Sequence, residues 1–254
     1  MSERSTLILL HDGTLEGVLC AVFDSYSYSP PPQGLDTLSC YQPQLGCRYK
    51  EVSTDPRRAA RVIAGIRRQM GQLGYRKIWQ AFLHNSREKD SVIYRYIRLG
   101  MKEGERIHQM LTHPTVLAID KLCAITGREA SYLTEFVRFS EVEGHLYYAE
   151  ITPAHMTLPL IMPHFVARMN AHPFLIHDKT HGLAGVYDCR NWVLISTENM
   201  TIPAFSADER HYRQLWKTFY DTIAIKERIN PQLQRQLMPK KYWKNITELQ
   251  PDKT

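Results

Sequence analysis

Long apolar runs are missing from this chain. Its apolar stretches, Leu7 to Leu10 and Leu158 to Met162 among them, fall far short of the roughly 20 residues a membrane-spanning helix needs. No membrane partner is therefore expected. The first residues carry Glu3 and Arg4 and lack a secretory pattern, so the expected location is cytoplasmic. Cysteines are few and scattered: Cys20, Cys40, Cys47, Cys123 and Cys189. No CxxC pair exists, which argues against a zinc ribbon or a thioredoxin-like site. The CxxxCxxC spacing of a radical-SAM enzyme is absent too. There is no G-x-S-x-G elbow, HExxH helix, GxGxxG loop or kinase-like set. Neither a metal nor a cofactor is expected.

Acid is what two long stretches lack. The chain of 254 residues is 43% apolar and 23% charged, the balance of a globular protein, with a net charge of only +6. Residues 57–106 hold 13 Lys/Arg against 4 Asp/Glu, and residues 210–244 hold 9 against 2. The remaining pieces are net negative. Two basic blocks in an otherwise acidic chain point to a surface that meets a polyanion. Solvated faces of ordinary helices would give the same composition.

Periodicity supplies the elements. Thr6 to Leu10 predicts a strand, Asp12-Gly13 a turn, and Leu15 to Tyr26 a helix. Residues 27–47 are rich in Pro, Ser and Gly and read as a long loop. Asp55-Pro56 is a helix start, with an acid as cap and proline in the first turn. Further helices are expected after Gly74, from Asp90 and from Pro114. The period then changes to two. Val137 to Val142 and His145 to Ile151 predict a hairpin turning at Gly144. Leu158 to Asn170 predicts a helix interrupted near Pro163. Phe174 to His177, Leu183 to Tyr187 and Trp192 to Ser196 predict three more strands. Ser206-x-x-Glu209 is a capping box opening a helix on which Trp216, Phe219 and Tyr220 share the apolar, core-directed side. Asn230-Pro231 starts a last helix, which Pro239 stops. The expected fold is α+β: a helical N-terminal half, a central antiparallel sheet of about five strands, and C-terminal helices. It reads as one domain over residues 1–250, divisible into sub-lobes 1–135 and 136–250.

Candidate chemistry falls at three places. His177, Asp178 and His181 lie in a polar turn between two strands, suited to acid–base or phosphate-contacting work. Asp12 and Glu16 flank a strand-to-helix junction, where capping is the competing role. Cations suited to phosphate contacts are Arg57, Arg61, Arg68, Arg213, Lys217, Lys226, Arg228, Lys240 and Lys241. Tyr242 or Trp243 could stack a base, or pack the terminus onto the body of the protein.

The run from Leu215 to Trp243, with its Asn230-Pro231 and its Met238-Pro239-Lys240-Lys241-Tyr242-Trp243 ending, resembles the C-terminal signature of a bacterial family of DNA metabolism or repair proteins. Asp12-Gly13-Thr14-Leu15-Glu16-Gly17 followed by Ala21-Val22-Phe23-Asp24 is similar to that family's opening motif. The resemblance implies association with a DNA-repair radical-SAM protein; related domains occur fused to uracil-DNA glycosylase-like domains. The family's activity is unassigned, so it transfers no catalytic residue. Three readings follow: a DNA-binding accessory protein working with a radical-SAM partner, an acid–base enzyme acting on a nucleobase or the DNA backbone, or an adaptor whose basic blocks meet an acidic protein.

Overall fold

A computed structural model of the chain describes residues 6–143, 145–198, 200, 204, 206–223 and 230–249. The expected hairpin turn at Gly144 lies outside the described residues. Contacts divide the chain into two compact units, Met1–Thr126 and Gly127–Thr254. Among the described residues no helix is long and apolar enough to cross a membrane. The fold is α+β, with a five-stranded mixed sheet in the middle and helices on both sides of it in the chain order.

The first unit begins with β1 (Thr6–His11) and α1 (Leu15–Asp24). Thr14 caps α1 by accepting the Gly17 N–H at 2.9 Å. The stretch expected to be a loop contains β2 (Gly34–Thr37), and β3 (Cys47–Glu51) begins at its last residue. Both strands pair with β1 in parallel, giving the order β2-β1-β3. Gly-Leu-Asp-Thr shows no alternation, so its strand character comes from its partners. One is β1. The other is the Ser91 hydroxyl, which exchanges hydrogen bonds of 2.9 Å with both the N–H and the carbonyl of Leu35.

Helix α2 (Pro56–Phe82) starts where the cap predicts, the Arg57 N–H donating to Asp55 Oδ1 at 2.8 Å. It kinks at Gly71, whose φ of 66° and ψ of −178° lie in a region open to glycine alone. Helix α3 (Lys89–Glu103) buries Ile93, Tyr96 and Ile97, and α4 (Pro114–Phe136) carries the boundary between the units. Leu9, Leu19, Ile66, Met70, Ile78 and Ile93 are fully buried in the first core.

In the second unit the sheet runs β4 (Ser140–Val142), β5 (Leu146–Ile151), β6 (Phe174–Asp178), β7 (Leu183–Tyr187), β8 (Trp192–Ser196). The sheet is not purely antiparallel as expected: β5 and β6 are parallel. Their connection is the helix α5 (Leu158–Arg168), and a helical crossover returns the chain to the same end of the sheet. Pro163 sits inside α5 without ending it. The helix lies so close to the sheet that a Cβ on Gly185 would fall 2.4 Å from Met162 Sδ. Helices α6 (Ala207–Ile223) and α7 (Pro231–Leu237) follow, then a 3-10 turn over Lys240–Asn245. Ser206 caps α6 through the Glu209 N–H at 3.0 Å, but Glu209 accepts the Glu141 N–H, so only half the capping box forms.

Gly71→Ala should cost about 1–3 kcal/mol, because no other residue holds this backbone conformation without strain. Urea unfolding of the two proteins measures the difference, and an unchanged midpoint would show that the kink relaxes freely.

Candidate functional site

Helix α2 has seven cations and no acid. Some of the cations are used within the unit. Arg58 pairs with Asp24 at 2.8 Å, Arg67 lies 4.6 Å from the centroid of the Tyr75 ring, and Lys77 pairs with Asp120 at 2.5 Å. Arg57, Arg61 and Arg68 are exposed, and among the described residues no carboxylate pairs with them. At 100° per residue these three lie within about 40° of one another around the helix, spaced about 6 and 10 Å along it. They form a straight cationic row.

Beside that row the sequence hid an aromatic cluster. The Arg61 guanidinium lies 5.1 Å from the Phe23 ring centroid, and Arg98 lies 4.5 Å from that of Tyr26. Arg98 also approaches the Tyr94 ring and the Ser25 hydroxyl. Val22, Phe23, Tyr26, Arg61, Val62 and Met101 line an open cleft of about 340 Å³. A sequence signal existed in the Tyr26-Ser-Tyr28 pair and in Arg98, four residues after Tyr94.

Asp12 is held in a turn. Oδ1 accepts both the hydroxyl and the N–H of Thr14, and Oδ2 accepts the Thr54 hydroxyl at 2.7 Å. What burial it has acts to raise its pKa, but these bonds outweigh burial and hold the carboxyl below its ordinary value. Glu16 lies exposed in the first turn of α1. Both residues belong to the first unit, whereas His177, Asp178 and His181 belong to the second.

Strand alternation divides those three. His177 shares a face of the sheet with Tyr148 and Glu150. The Tyr148 hydroxyl donates to Glu150 at 2.9 Å, so its single proton is used and His177 Nδ1, 3.0 Å away, donates to the phenol oxygen. Burial pushes the His177 pKa down and the Tyr148 pKa far up. Asp178 is buried at the end of β6. Oδ1 accepts the Thr180 and His181 N–H groups, and Oδ2 lies 2.6 Å from His181 Nδ1. A buried carboxylate that holds Nδ1 leaves Nε2 as the working nitrogen.

The loop after β5 reaches the same end of the parallel pair and brings His155, which the sequence reading missed. It is anchored by Glu129 of α4, 4% exposed, whose carboxylate accepts the Ala154 and His155 N–H groups and pairs with Lys241 Nζ at 2.5 Å. Burial favours a raised Glu129 pKa. The Lys241 bond and the two backbone bonds outweigh it, and the net shift is downward. Burial also lowers the His155 pKa. Among the described residues no cluster of His, Cys, Asp or Glu could hold a metal ion.

The C-terminal candidates fare unevenly. Lys241 is engaged by Glu129. Tyr242 is buried among Tyr132 and Phe136, which leaves no ring face for a base and corrects the stacking expectation. Lys240 is exposed, 5.8 Å from the Trp243 ring centroid, and Trp243 Nε1 donates to the Met238 carbonyl. Arg213 and Lys217 are half-buried on α6, each with an interaction. Lys226 and Arg228 lie outside the described residues. The apolar stripe of α6 is not core as expected: Trp216 is 44% and Phe219 51% exposed. Trp216 is tied instead by Nε1 to Glu248 at 3.1 Å, and both rings line a cleft with Phe139 and Tyr212.

A family model described as a domain of unknown function, DUF4130, matches residues 87–248. That is more than half of the chain, and the chain belongs to this family. No curated protein matches it.

Lys241→Met should lower stability at pH 7 by about 1–3 kcal/mol, less than a fully buried pair would lose because the ammonium is half exposed. The folded pKa of Glu129 lies below its unfolded value, about 4.3. The stability it contributes is complete above that value and is lost as pH falls through the folded pKa. Urea midpoints of wild type should therefore fall more steeply in acid than those of Lys241→Met; parallel curves would sink the assignment.

Proposed function

We propose that this chain is a nucleic-acid-binding accessory protein of a DNA repair or modification pathway. The observation that carries the reading is the row Arg57, Arg61 and Arg68 on a helix without a single acid. Its spacings correspond to about two and three nucleotides of a duplex strand, which rises about 3.4 Å per nucleotide. A rigid helix presenting charge at such intervals suits backbone contact, which positions a strand without reading its sequence. The pathway and the radical-SAM partner rest on the resemblance of the chain's ends, described above.

Binding to fluorescent oligomers should weaken steeply with salt and depend little on sequence. In the Arg57→Glu, Arg61→Glu, Arg68→Glu triple variant the slope of log K against log salt should flatten by about 2 to 3, one increment per lost contact. An unchanged slope would falsify the reading. Because Arg61 also rests on the Phe23 ring, the variant should lose no more than about 1 kcal/mol of stability, and a cooperative unfolding curve certifies the comparison.

One observation favours a second reading, acid–base chemistry on a nucleobase or phosphodiester: the buried Asp178 held 2.6 Å from His181. A histidine oriented in this way contributes about 10²- to 10⁴-fold as a general base. If oligomers are processed, His181→Gln should lower turnover by that factor while leaving affinity within about twofold. A loss confined to affinity would remove His181 from the chemistry.

A further inference from the structure

We infer that the cleft between α1, α2 and α3 receives an unpaired base of a single-stranded nucleic acid whose phosphates lie on the arginine row. The inference rests on the binding reading above and adds the form of the ligand. Three observations on the first unit converge. Val22 and Val62 give the cleft an apolar floor, and Phe23, Tyr26 and Met101 give it soft, polarisable walls. Tyr26 is 56% exposed although it belongs to the cleft wall, and Arg98 braces its ring from one side. Arg61 belongs to both features. Its guanidinium lines the cleft against Phe23 while its position on α2 makes it the middle member of the cationic row. A ring in the cleft would therefore stand directly beside a phosphate on that row.

The chemistry selects the occupant. Among the described residues no acid lines the cleft, so a cation would meet Arg61 unopposed. A purely aliphatic group would leave the guanidinium edge without a partner. A flat ring with a polar edge and an attached anion satisfies the floor, the ring faces and the arginine together, which is how aromatic side chains and arginines hold single strands. The volume, about 340 Å³, falls at the small end of ligand clefts. A base inside a duplex is stacked on both faces and cannot enter unless it leaves the helix.

The test uses the full chain with a fluorescent single strand, its duplex, the same strand carrying abasic positions, and its ribose counterpart. The single strand should bind more tightly than the duplex, and abasic positions should weaken it. Tyr26→Ala should weaken single-strand binding about 5- to 100-fold and leave duplex binding unchanged. Tyr26→Phe should retain wild-type affinity, because the ring and not the hydroxyl does the stacking. Comparable binding of deoxyribose and ribose strands supports the inference, and a preference for either supports it while identifying the strand. Salt-sensitive binding that is equal for single strand and duplex, and unaffected by Tyr26→Ala, would overturn the cleft and leave the arginine row standing. No binding of any oligomer would overturn both, and capture of an acidic peptide by the same cleft would replace the occupant.

Discussion

A carboxylate removed from water must receive its hydrogen bonds from protein, because an unpaired buried charge costs more than most single interactions return. Glu129 is that carboxylate in the second unit. It gathers two backbone N–H groups from the loop after β5 and the ammonium of Lys241, 112 residues further on. Helix α4, the crossover loop and the C-terminal turn are thereby fixed to one point. The consequences extend to the candidate chemistry. The same bonds set the backbone of His155, whose loop leaves β5 at the end where Asp178 closes β6, since Ile151 and Asp178 are register partners. The crossover through α5 makes this possible, because only a parallel pair brings two outgoing loops to one edge. Lys241 therefore has a structural task that its position in a basic run conceals.

The first unit obeys an opposite constraint, an excess left unsatisfied. Four of its acids do local work: Asp12 in the turn, Asp24 and Asp55 on Arg58, Asp120 on Lys77. Helix α2 supplies none of its own. Arg58 ties α2 to α1 through Asp24, Arg67 packs on Tyr75 within α2 itself, and the arginines of the outward row meet no carboxylate among the described residues. Proteins tolerate such a stripe because exposed guanidinium groups are well solvated, so it adds nothing to folding. Its energetic use lies outside the fold, in the release of counterions when a polyanion replaces them.

Much of this is legible in the sequence. The caps at Asp55, Ser206 and Asn230 marked helix starts because a cap is a local hydrogen bond between residues two or three apart. The strands from Phe174 to Ser196 are legible because short apolar runs bounded by turn residues are a local signal too. What failed was non-local. Gly34–Thr37 is a strand only because β1 and Ser91 make it one, and nothing in Gly-Leu-Asp-Thr announces them. The parallel pairing of β5 with β6 depends on the course of α5, which periodicity does not encode. Tyr242 sits in a basic run yet packs on Tyr132, 110 residues earlier, while the stripe on α6 pointed to a core it does not enter. The structure carries β6 one residue beyond the expected end, to Asp178, and adjacent residues on a strand face opposite ways, so His177 and Asp178 lie on opposite faces of the sheet.

The two candidate regions also differ in where they fall against the family. The Asp178–His181 pair lies inside the matched segment, 87–248, and the arginine row lies before it. Their physics differs in the same way. The pair depends on one short bond to a buried acid, so its contribution is lost when either partner changes. The row depends on repeated, exposed charges. Against a screening length of about 8 Å at physiological salt, Arg68, about 10 Å from Arg61, is largely screened from the other two, whereas Arg57 and Arg61, about 6 Å apart, still feel one another. Losing one weakens the row without abolishing it. Arg61 is the exception. Its guanidinium is shared between the row and the Phe23 ring, so the electrostatic and stacking contributions cannot be removed separately at that residue. Tyr26, uncharged and off the helix, is where stacking can be varied alone.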